Sequence, residues 1–97
     1  MPTTPKTIGT SAVQLVESRK DRTVLEIVNL SDTATVYISD TEKDTLTTNK
    51  GLPIPPNSSR IIQLADLDFG VMHEWYGISD TANTNIIIYE AYIEEVG

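Results

Sequence analysis

The chain has 97 residues, 39% of them hydrophobic and 22% charged, with no cysteine and a net charge of −7. That length makes one domain around a single core, and the missing cysteines exclude disulfides and thiolate metal sites as its staples. Fourteen acids against seven bases repel phosphate, which argues against a nucleic-acid partner, and no apolar run is long enough to cross a bilayer.

Residues 1–11 carry Pro2, Pro5 and four threonines, and they lack the basic start and apolar block of a secretory signal. This composition keeps the backbone extended and buries little, so it predicts an N-terminal arm ahead of a β domain spanning residues 12–97. Residues 12–18 then alternate, with Val13 and Leu15 on one face and Gln14 and Val16 on the other, as a first strand does. Arg19, Lys20, Asp21 and Arg22 interrupt the apolar pattern as a charged turn. In the second strand, residues 23–30, Leu25 and Ile27 share one face while Val24, Glu26 and Val28 share the other.

Ser31, Asp32 and Thr33 are turn formers, because their side chains bond to nearby backbone groups and compete with the ladder. A third strand follows at 34–39, with Val36 and Ile38 inward and Tyr37 outward. Residues 40–44 read as a polar loop and 46–49 as a short strand. The three prolines of residues 52–57 cannot donate to a central ladder, so that piece is an edge or a connection. Residues 58–65 alternate again, Ile62 and Leu64 against Ile61 and Gln63, before a turn at 66–70 and a strand at 71–79 holding Trp75.

The final strand, residues 84–95, carries Ile86, Ile87 and Ile88 in succession, side chains that favour a pleated surface over a helix. Its face of Ile87, Tyr89, Ala91 and Ile93 is wholly apolar or aromatic and reads as the inward one. The face of Ile86, Ile88, Glu90, Tyr92 and Glu94 is mixed and reads as outward. The tetrapeptide SDTA occurs twice, at residues 31–34 and 79–82, each time between strand-like runs, and marks repeated turn chemistry. The fold expected is all-β: a single antiparallel β-sandwich or jelly-roll-like barrel of about seven to eight strands with an extended N-terminal arm.

Chemical motifs are sparse, and no cofactor or catalytic residue is expected. The single histidine, His73, has no nucleophile context and no second histidine at metal spacing. Asp40, Glu42 and Asp44 are spaced like the start of a calcium loop but lack its glycine and final glutamate, and Asp66 with Asp68 read as turn residues. Asn29 and Asn57 open glycosylation triplets, and Asn29 fits better as a hydrogen-bonding residue of the turn that follows it. Trp75 and Tyr76 would suit a sugar platform if exposed, although a tryptophan between apolar runs is more often core. What stands out is surplus apolar side chains on the outward positions. Alternation places Val24, Val28, Tyr37, Ile61, Ile86, Ile88 and Tyr92 there, a candidate subunit interface.

Four segments carry a resemblance: RTVLEIVNL from Arg22, ATVYISD from Ala34, GLPIPPNSSRIIQL from Gly51 and WYGISD from Trp75. They resemble the strand and turn motifs of a recurrent type of small tailed-phage virion protein, with Asn57 standing where glycine is frequent. The resemblance implies a β-sandwich of head-decoration or minor capsid type. Its role would be non-enzymatic, decorating or stabilising the outside of a viral capsid in multiple symmetric copies. The implied partners are a major capsid protein or other virion protein and further copies of the chain, in a homo-oligomer such as a trimer, with no nucleic acid and no membrane. An alternative reading is a receptor- or glycan-binding module on a phage fibre or spike, using Trp75 and Tyr76.

Overall fold

The computed structural model describes residues 3–40 and 46–93. It holds eight strands: β1 (Thr3–Ile8), β2 (Val13–Val16), β3 (Arg22–Asn29), β4 (Val36–Ser39), β5 (Leu52–Ile54), β6 (Ser59–Gln63), β7 (Trp75–Ser79) and β8 (Thr84–Tyr92). Two 3-10 turns, η1 (Leu64–Asp66) and η2 (Phe69–Met72), fill the β6–β7 connection, and the described residues contain no α-helix. The strands form two four-stranded antiparallel sheets, the first in the order β1-β8-β3-β6 and the second in the order β2-β7-β4-β5. The chain is all-β, with the two sheets packed face to face.

The core between them is filled by Leu25, Ile27, Ile62, Ile86 and Ile88 from the first sheet and Leu15, Val36, Ile38, Ile54 and Trp75 from the second. Burying these side chains is the main driving force available to a chain of this size without disulfides. Gly77 lets the sheets close, since a Cβ there would lie 2.9 Å from Leu15 Cδ1.

Residues 3–8, expected to lie in an arm, are instead the outer strand of the first sheet, with Thr3 opposite Tyr89 and Ile8 opposite Thr84. Proline and threonine concealed this because an edge strand needs a partner on one side only, and Pro5 is tolerated there. Met1 and Pro2 of the expected arm lie outside the described residues. The prolines of residues 52–57 behave as expected, since Pro53 lies in edge strand β5. Residues 46–49 are not a strand: Thr47 O accepts from Lys50 N at 3.1 Å, closing a turn. Asn57 has φ 56°, the left-handed conformation that makes glycine the usual occupant of such a position.

The largest correction concerns β8. Ile86 and Ile88 are 0% and 2% exposed in the core, while Ile87 and Tyr89 are half-buried on the opposite face. The mixed face is the inward one because Glu90 meets a buried arginine: Arg22 Nε donates to Glu90 Oε2 at 2.8 Å. Arg22, expected in a charged turn, is 1% exposed. A bulge between Arg22 and Val24 adds one residue to β3, which turns Arg22 to the same side as Leu25 and Ile27. A second bulge, between Gln14 and Val16, lets Leu15 and Val16 both be buried.

The two SDTA turns meet at one end of the sandwich. In each, the serine Oγ accepts from the backbone N–H two residues on, at 3.1 Å, and Asp80 Oδ1 accepts from Thr35 N at 3.1 Å between them. Among the described residues no buried side-chain nitrogen or oxygen lacks a hydrogen-bond partner.

Candidate protein interface

Strand register builds the outer face of the first sheet row by row. Val28 lies opposite Ile87 and Ser59, Glu26 opposite Tyr89 and Ile61, and Val24 opposite Ala91 and Gln63. β1 extends two rows with Pro5 beside Ile87 and Thr3 beside Tyr89. Ile61 is 49% exposed, and Val24, Val28, Ile87 and Tyr89 are half-buried. The result is an apolar face around one central carboxylate, Glu26, which no ion pair among the described residues engages.

The edges of this sheet are less inviting than its face. Pro5 interrupts the donors of β1, while Lys6 and Arg60 occupy inward-row positions at the two edges, opposite Ile86 and Ile27. Prolines and inward-row charges on edge strands discourage strand addition. The face, not either edge, is therefore the candidate contact surface of this sheet.

Of the seven residues expected at an interface, the structure brings together three: Val24, Val28 and Ile61. Tyr37 lies on the outer face of the second sheet beside Pro53 and Ile78. Ile86 and Ile88 are core residues and cannot contact a partner without unfolding. Tyr92 closes the inward row of β8, under the Arg19 guanidinium, whose carbon sits 3.6 Å from the ring centroid. Burial, helped by the charge of Glu90, pushes the Tyr92 hydroxyl above its ordinary pKa. Ile87, Tyr89 and Ala91, expected in the core, instead form the outer row of β8. Strong hydrophobicity made that face look like core, and the only contrary signal was an arginine seven residues before Asn29.

Other groupings carry less. His73 Nδ1 lies 2.9 Å from Asp40 Oδ2 in an open cleft of about 240 Å³ that Ser18 and Glu74 also line. No hydrogen bond joins Ser18 to His73, both are exposed, and an aspartate–histidine pair needs a nucleophile held in line to do acyl transfer. Glu42 and Asp44 of the calcium-like spacing lie outside the described residues, and among the described residues no three potential ligands cluster. Asp68 is a cap, accepting from Gly70 N at 3.1 Å, and Asp66 is exposed. Trp75 is 4% exposed and its Nε1 donates to Gly70 O, so it offers no face to a sugar. Asn29 is 1% exposed, which removes it from glycosylation.

Scans of protein-family models, of curated proteins and of solved structures each find no match to this chain.

Proposed function

We propose that this chain is a jelly-roll protein that works without catalysis as a structural component of a virion, docking through the outer face of its first sheet onto a capsid or other virion protein in multiple copies. The observation that carries the reading is that outer face: Val24, Val28, Ile61, Ile87 and Tyr89 are adjacent on a surface whose edges are blocked to strand addition. Apolar residues adjacent on the solvent side of a sheet favour a contact with another protein over bare solvent. The jelly-roll reading is supported by the strand order, in which only the β4–β5 connection stays within one sheet and every other connection passes between sheets. Such double-sheet folds occur in capsid proteins but also in lectins and cupins, so the virion assignment leans on the resemblance of the four sequence segments and not on the fold. Repetition of a modest contact in many symmetric copies would supply the net hold on a shell.

The test is co-sedimentation of the full chain with the particle of its source. Wild type is expected to pellet with the particle, and Ile61→Glu to remain in the supernatant with its Tm unchanged. Equal pelleting of both proteins would move the contact away from this face, and failure of wild type to pellet would overturn the virion reading.

A further inference from the structure

Three described residues other than glycine have positive φ: Asn57 at 56°, Asn83 at 58° and Leu67 at 60°. Asparagine is a usual non-glycine occupant of the left-handed region, because its short polar side chain bonds locally, whereas a leucine there is strained. Leu67 gains nothing inside the fold in return, since its side chain is 76% exposed. Two residues on, Phe69 is 61% exposed. A strained backbone carrying an unburied apolar side chain breaks two local rules at one position, with no gain inside the fold to offset them.

The loop that presents them is held firmly. Leu67 N donates to Leu64 O at 2.8 Å, Val71 N to Asp68 O at 3.2 Å and Trp75 Nε1 to Gly70 O at 2.8 Å. Arg22 Nη1 adds bonds to Val71 O and His73 O, both at 3.0 Å, from within the core. Rigid presentation lowers the ordering cost of binding. Asp66 and Asp68 flank Leu67 and both are exposed, so whatever receives the tip must tolerate negative charge at its rim. With a net charge of −7, another copy of this chain or an anionic bilayer fits that requirement poorly.

We propose that Leu67 and Phe69 form a rigid apolar anchor that inserts into an apolar pocket rimmed by lysine or arginine on a different protein. This proposal does not depend on the virion reading.

The experiment places the photocrosslinker p-benzoyl-phenylalanine at Phe69 of the full chain, in the cells that naturally make it, and maps the crosslinked peptide by mass spectrometry. The expected product is one foreign protein, joined at a peptide that combines apolar residues with lysine or arginine. Leu67→Asn in the same chain is expected to cut its yield at least about tenfold without lowering Tm, because asparagine suits the left-handed backbone. Leu30→Asn, at a 50% exposed leucine elsewhere, is expected to leave the yield unchanged. Crosslinks to lipid, to a second copy of the chain or to nothing would overturn the proposal. A fall in Tm for Leu67→Asn would do the same, by showing that the leucine serves the fold.

Discussion

The two ends of β3 solve the same problem with different chemistry. At one end Arg22, 1% exposed, gives hydrogen bonds to the carbonyls of Glu17, Val71 and His73 and forms an ion pair with Glu90. At the other, Asn29, also 1% exposed, gives hydrogen bonds to the carbonyls of Ala34, Ile54 and Pro55 and accepts from Ser31 N. Each polar side chain ties loops from both sheets to the central strand, with only Leu25 and Ile27 fully buried between them. The difference is charge. A buried guanidinium needs a carboxylate and therefore dictates which face of β8 points inward, whereas a neutral amide satisfies carbonyls and makes no such demand.

Breaking the charged end should have the larger effect. Arg22→Ala is expected to cost about 3–5 kcal/mol, because Glu90 is left enclosed without its partner and three carbonyls lose their donor. Chemical denaturation measures it, and Glu90→Gln is expected to cost less, since Arg22 keeps those carbonyls. Between the two ends, Ile88→Ala is expected to cost about 2–5 kcal/mol and Ile87→Ala clearly less, because only Ile88 empties a core position. The reverse order in matched melts would show β8 turned the other way. At the neutral end, Asn29→Ala is expected to cost about 1–3 kcal/mol, the penalty for buried polar groups left unpaired. A loss equal to that of Arg22→Ala would show that charge is not what separates the two ends.

The smallest effect belongs to the solvent side of the Arg22 end. The hydrogen bond from Arg19 Nε to Asp21 Oδ1, 2.7 Å, holds the Asp21 carboxyl below its ordinary pKa, and Arg19 is raised in return. A lowered carboxyl stabilises the fold above the ordinary aspartate range, and that contribution is lost as pH falls through the depressed value. The Tm of Asp21→Asn should therefore lie slightly below wild type at neutral pH, converge with it in acid, and differ less at high salt.

Much of the strand pattern was legible in residue order. Alternation located β2, β3, β4, β6 and β8, and the prolines limited residues 52–57 to an edge or a connection. β1 escaped because an edge strand buries little: only Ile8 of its six residues is fully buried. The apolar face of β8 was assigned to the core because hydrophobicity alone decides faces when no partner is known. The outer face of the first sheet was half legible for the same reason, since Val24, Val28 and Ile61 lie on the side expected while Ile86 and Ile88 exchanged places with Ile87 and Tyr89.

Local residue order by itself determined that this chain alternates into short strands separated by Ser, Asp, Asn and Pro turns, because the period of two and the turn chemistry are properties of a few neighbouring residues. Which side of β8 faces inward, and that Arg22 joins it, was decided only in three dimensions. A single bulge reverses the parity of a strand, and the preference of a buried arginine for a glutamate sixty-eight residues away outweighs the pull of an isoleucine face toward the core.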